Sequence, residues 1–76
     1  MMAESATLIL EMIDDQIVVT MPGTNFLASY RKRQGAAELV AYFLQDDRHA
    51  PLPRAEFVAR SWRLALAKAR ELRWIT

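Results

Sequence analysis

The stretch RAEFVARSWRLALAKARELRW, residues 54–74, decides how the chain is read. Within it Ala55, Val58, Trp62, Ala65, Ala69 and Leu72 recur at alternating steps of three and four, the spacing that keeps side chains on one face of a helix. Arg60, Arg63 and Arg70 fall on the opposite face. The spacing predicts one long amphipathic helix with a basic outer surface. Trp62 stands at the middle of the apolar stripe, and the small Ala65 and Ala69 let a neighbouring layer approach closely. On that reading Trp62→Ala removes a core side chain at a cost of about 3–5 kcal/mol, whereas Arg63→Ala leaves stability nearly unchanged. Phe57 and Leu64 lie on one shoulder of the stripe and Leu66 on the other.

Working back from this helix, Pro53 suits a first helical turn, where its missing N–H is no loss. Asp46-Asp47-Arg48-His49-Ala50-Pro51-Leu52-Pro53 reads as a loop, polar at its start and stiffened by two prolines at its end. Before it, Ala36, Leu39, Val40, Phe43 and Leu44 follow the i, i+3, i+4, i+7, i+8 pattern. Gly35 serves as a permissive N-cap and Glu38 suits the first-turn dipole, so a short helix ending near Gln45 is expected.

The first part of the chain alternates. Leu8, Leu10 and Met12 share one face of a strand over Thr7 to Ile13, with Ile9, Glu11 and Ile13 on the other. Asp14-Asp15 offers a tight turn, because Asp tolerates positive φ. Gln16 to Met21 is rich in β-branched residues and pairs back as a hairpin. Pro22-Gly23 suits a type II turn, and a return strand runs from Phe26 to about Arg33 with Phe26, Ala28 and Tyr30 on one face. The expected fold is therefore α+β: a three-stranded antiparallel meander followed by a short and a long α-helix packed on one sheet face. It forms a single domain over residues 1–76, with residues 1–6 loose.

A chain of 76 residues buries only about 60% of its unfolded surface and supports one modest core. Apolar residues make up 53% and charged residues 25%, a globular balance. There is no cysteine, so disulfides and thiolate chemistry are excluded, and oligomerisation is the staple left to so small a domain. No basic n-region precedes Leu8-Ile9-Leu10, and no apolar run approaches the ~20 residues of a membrane span, so a cytoplasmic location is expected. Charge is polarised: residues 1–29 carry Glu4, Glu11, Asp14 and Asp15 with no Lys or Arg, while residues 54–76 carry six basic residues against Glu56 and Glu71. Such asymmetry suits contact between acidic and basic ends of two chains, or anion binding by the C-terminal half.

The segment Val19-Thr20-Met21-Pro22-Gly23-Thr24 through Tyr30-Arg31-Lys32, together with Arg54-Ala55-Glu56-Phe57 and Lys68-Ala69-Arg70-Glu71-Leu72-Arg73-Trp74, resembles a family of short bacterial proteins with no assigned activity. The resemblance implies no catalytic residue, cofactor or partner. Arg73 stands where that pattern has glycine, which puts the left-handed C-terminal cap in question and leaves the helix to fray or to run on to Ile75.

Catalytic constellations are absent from the pattern. His49, the sole histidine, lies near Asp46 and Asp47, but one histidine and no cysteine make a poor transition-metal set. Ser29 and Ser61 have no base at recognisable spacing. Pro22-Gly23-Thr24 lacks the phosphate-loop pattern. No enzyme, cofactor or metal site is expected. Two binding readings remain. The first is a protein-interaction domain that associates with itself as a homodimer, through Ile9, Ile13, Phe57, Leu64 and Leu66, the apolar residues left outside the expected core. The second is nucleic-acid binding through Tyr30, Arg31, Lys32 and Arg33, where Tyr30 would stack on a base, and through the Arg60, Arg63 and Arg70 face. A strand followed by two helices is similar in outline to ribbon-helix-helix repressors, although two further strands precede it and the loop between the helices is long and proline-bearing. Glu56 one turn before Arg60 also drains positive potential from the helix.

Overall fold

The computed structural model describes residues 7–75; the expectation of a loose segment over residues 1–6 lies outside them. The fold is α+β, with four antiparallel strands in one sheet and one helix packed against it. The strands are β1 (Ile9–Ile13), β2 (Gln16–Thr20), β3 (Leu27–Lys32) and β4 (Leu39–Gln45), in the spatial order β1-β2-β3-β4, and the helix is α1 (Arg54–Glu71).

The turns follow local chemistry. Asp14 adopts φ 56° between β1 and β2, a conformation that Asp accepts more readily than most residues. Between β2 and β3, Thr24 N–H donates to Met21 O at 3.1 Å and Gly23 holds φ 85°, the type II geometry that Pro22-Gly23 favours.

The segment expected to be a short helix is instead β4, hairpinned onto β3. Gly35, with φ 79°, is no N-cap; it turns the chain between the strands, where Ala36 N–H donates to Arg33 O at 3.2 Å. Leu39-Val40-Ala41-Tyr42-Phe43-Leu44 is a continuous apolar run, and such a run satisfies a helical stripe and a buried strand equally. Pairing with the β3 edge decides between them, because it satisfies a row of backbone groups that a three-stranded sheet would leave open. The pairing is Leu27↔Gln45, Ala28↔Leu44, Ser29↔Phe43, then Tyr30↔Ala41, so Tyr42 is the extra residue of a β-bulge.

Register and alternation put Leu10, Met12, Ile17, Val19, Ala28, Tyr30, Ala41 and Leu44 on the face toward α1. The helix lies over β2 and β3, the two central strands. Its buried line is Phe57, Ser61, Ala65 and Ala69, one residue per turn. The stripe predicted from sequence is therefore rotated: Ala65 and Ala69 belong to the core, but Phe57 and Ser61 replace Ala55 and Trp62. Phe57 is fully buried, and Trp62 remains 36% exposed at the shoulder. The small Ser61, Ala65 and Ala69 let the helix backbone come close to Ile17, Val19 and Ala28. Phe57 supplies the bulk near the helix start, where it stacks on Phe26.

Pro53 is the N-cap, one position before the first turn; its carbonyl accepts from Glu56 N–H at 3.1 Å and Phe57 N–H at 3.0 Å. The C-terminus neither frays nor runs on. Arg73 takes φ 65° and closes the left-handed cap without glycine: Arg73 N–H donates to Arg70 O at 3.0 Å and Trp74 N–H to Ala69 O at 2.8 Å. The cap folds Leu72, Trp74 and Ile75 back onto the core.

Candidate interaction site

Beside the helix, toward β4, an apolar cleft of about 130 Å³ opens to the surface. Ala28, Tyr30, Ala41 and Leu44 of the sheet contribute to it, with Val58 and Trp62 of α1 and Phe43 of β4. Its cause is geometric: α1 covers β2 and β3, and the helix-facing side of β4 extends past this cover. Trp62 leans on Tyr30, with ring centroids 5.6 Å apart and planes tilted by 54°. Phe43, which also lines the cleft, is 51% exposed, and its neighbour Tyr42 58%.

The floor of the cleft is held by Tyr30, which is buried. Burial pushes its hydroxyl above the ordinary tyrosine range, and the nearby Ser61 hydroxyl offsets this in part. The two hydroxyls do not reach good hydrogen-bond geometry, and the Ser61 Oγ has no partner. Tyr30 is therefore a packing residue and not a base-stacking platform, which removes it from the nucleic-acid surface that the sequence suggested.

The remaining basic candidates divide into separate places. Arg31, Lys32 and Arg33 gather at the end of β3 around an open cavity of about 430 Å³, with Trp74 in its wall. Arg33 Nε pairs with Glu38 Oε1 at 2.7 Å, and the Arg31 guanidinium lies 4.5 Å from the Tyr42 ring centroid. Arg60 and Arg63 lie instead beside Thr7, Leu8 and Leu64, with Arg60 Nη1 4.0 Å from Glu56 Oε2. Arg70 is exposed in the last turn of α1.

The apolar candidates do not form one surface either. Phe57 is fully buried in the core, and Leu66 is partly buried against it. Ile9 and Ile13, 42% and 48% exposed, lie on the sheet face away from the helix, while Leu64, 39% exposed, belongs to the helix. Sequence reasoning missed Phe43 and Tyr42 as surface aromatics, because a helical reading of residues 36–44 buried Phe43 in a stripe. The signal that could have found them was the uninterrupted apolar run itself.

The loop with the sole histidine serves structure. Asp47 Oδ2 accepts from Asn25 N–H at 2.8 Å and Asp47 Oδ1 from His49 N–H at 2.9 Å, which ties the β2–β3 connection to the β4–α1 connection. These two backbone donors hold the Asp47 carboxyl below its usual range. Gln45 Nε2 adds a bond to Asn25 O at 2.6 Å. Among the described residues no group of three or more His, Cys, Asp or Glu is placed to hold a metal ion, and no helix is long and apolar enough to cross a membrane.

Comparison with protein-family models, with curated proteins and with solved structures finds no match to this chain.

Proposed function

We propose that the protein is a small interaction module that associates with a second copy of itself through the cleft between β4 and α1. The observation that carries this reading is the juxtaposition of Trp62 and Phe43, two large aromatic side chains that rim an apolar hollow and stay substantially exposed. Burying such rings contributes more per residue than most side chains, and a chain of 76 residues without cysteine supports only a modest core of its own.

A second copy suits the cleft because a two-fold axis near β4 would bring the partly exposed Trp62 and Phe43 of each copy against the same apolar surface of the other. The edge is also unguarded by charge, since Leu39–Gln45 contains no Lys, Arg, Asp or Glu. The bulge at Tyr42 opposes simple extension of the sheet, so the contact is one of side chains and not a continued ladder.

Sedimentation equilibrium across a concentration series tests the reading. The wild-type chain should show a monomer–dimer equilibrium, and Phe43→Glu should be monomeric with an unchanged circular dichroism spectrum. A wild-type chain that stays monomeric up to roughly 1 mM, the limit of even weak specific association, would overturn it.

A further inference from the structure

The cavity at the end of β3 is built by three separated parts of the chain: Asp15 of the β1–β2 turn, Arg31 to Gly35 at the end of β3, and Trp74 behind the helix cap. Its volume of about 430 Å³ lies within the range of small-molecule sites. Arg31, Lys32 and Arg33 all contribute to its lining, against one carboxylate, Asp15. Glu38 neutralises Arg33 from outside, which leaves Arg31 and Lys32 as the available positive charges. Lys32 has no ion-pair partner among the described residues, and Arg31 is steadied by the Tyr42 ring beneath it.

Trp74 contributes to the same lining. It is half-buried, packs partly against the core, and follows the left-handed cap, where its backbone N–H donates to Ala69 O. Gln34 and Gly35 of the turn beside it complete the lining. A guanidinium and an ammonium recognise phosphate oxygens, and an aromatic plane recognises a flat heterocycle. From this combination we propose that the cavity binds a nucleoside phosphate, through Arg31 and Lys32 at the phosphate and Trp74 at the base. The site lies apart from the Trp62–Phe43 cleft and does not depend on self-association.

Trp74 fluorescence reports on it directly once Trp62→Phe has removed the other indole. In that background adenosine 5′-monophosphate should quench the emission saturably, with adenosine and inorganic phosphate each binding more weakly. Arg31→Ala and Lys32→Ala should each weaken adenosine monophosphate about tenfold, the effect of losing one charge-assisted bond, without change in the circular dichroism spectrum. A 5′-phosphorylated oligonucleotide that binds more tightly than the mononucleotide assigns the site to strand ends, and the reverse order assigns it to free nucleotides; both support the proposal. It is overturned if adenosine monophosphate gives no saturable quenching up to about 10 mM, far weaker than a specific site would be. It is equally overturned if the Arg31→Ala, Lys32→Ala double variant binds as the parent does.

Discussion

Phe26 and Phe57 stack with ring centroids 4.3 Å apart and planes within 6° of parallel, both buried, one from the segment entering β3 and the other from the first turn of α1. This pair locks the start of the helix to the sheet, and it marks the true centre of the core. Phe57→Ala should therefore cost about 3–5 kcal/mol, through lost transfer energy and an uncollapsed cavity. That is most of the ~5 kcal/mol expected of so small a domain. Trp62→Ala, at the exposed shoulder, should cost well under half as much. Urea melts of the two variants check the order, and equal losses would return Trp62 to the core.

The sequence made the hairpin of β1 and β2, the Pro22-Gly23 turn, the long helix and the facing of Ala28 and Tyr30 legible, because each rests on local chemistry or on simple alternation. Two things were not legible. Residues 39–45 form an apolar run whose period suits helix and strand alike, and only pairing with β3 distinguishes them. The orientation of α1 was also ambiguous: the Ala55–Trp62–Leu72 line and the Phe57–Ser61–Ala69 line each mix large and small residues that can face a sheet. Trp62 read as core, yet a close helix crossing favours the small Ser61. The candidate cleft inherits both ambiguities, since Phe43 comes from the first and Trp62 from the second.

Arg73 holds a left-handed conformation that costs a residue with a Cβ roughly 1–2 kcal/mol more than glycine. The cap geometry is already complete around it, so glycine would relieve the strain without changing the hydrogen bonds. The gain is reduced by the larger entropy of glycine in the unfolded chain. Arg73→Gly should raise the melting temperature by several degrees, on the scale of about 4–8 °C per kcal/mol for a domain of this length. Scanning calorimetry decides the matter, and an unchanged or lower midpoint would mean that the Arg73 side chain contributes as much as its backbone costs.

Asp47 links two connections through backbone donors that favour its ionised form. Its folded pKa lies below the unfolded value of 3.8, so the linked stability is present above that value and is lost as pH falls through the folded pKa. Asp47→Asn keeps one carbonyl acceptor and removes the charge. Wild type should thus be the more stable at pH 6, with the gap narrowing as pH falls below about 4. Melts at the two pH values test this; a gap that does not change with pH would place the role of Asp47 in shape and not in charge.

Ser61 occupies the crossing point of helix and sheet, fully buried, with an Oγ that reaches no partner even though the Tyr30 hydroxyl is near. A hydroxyl desolvated without compensation costs about 1–3 kcal/mol, and alanine also has the higher helix propensity. Alanine at this position continues the small-residue line of Ala65 and Ala69 with almost the same volume. Ser61→Ala should therefore stabilise the domain. The same substitution tests Tyr30, whose raised pKa means that stability linked to it is full below pH 10 and is lost as pH rises through the folded value. With the Ser61 hydroxyl gone, the offset to that shift disappears, and the Tyr30 hydroxyl should titrate at still higher pH. Ultraviolet titration of tyrosinate against the Tyr30→Phe control reads that shift. A destabilised Ser61→Ala variant would show instead that the two hydroxyls share a hydrogen bond in solution that holds helix to sheet.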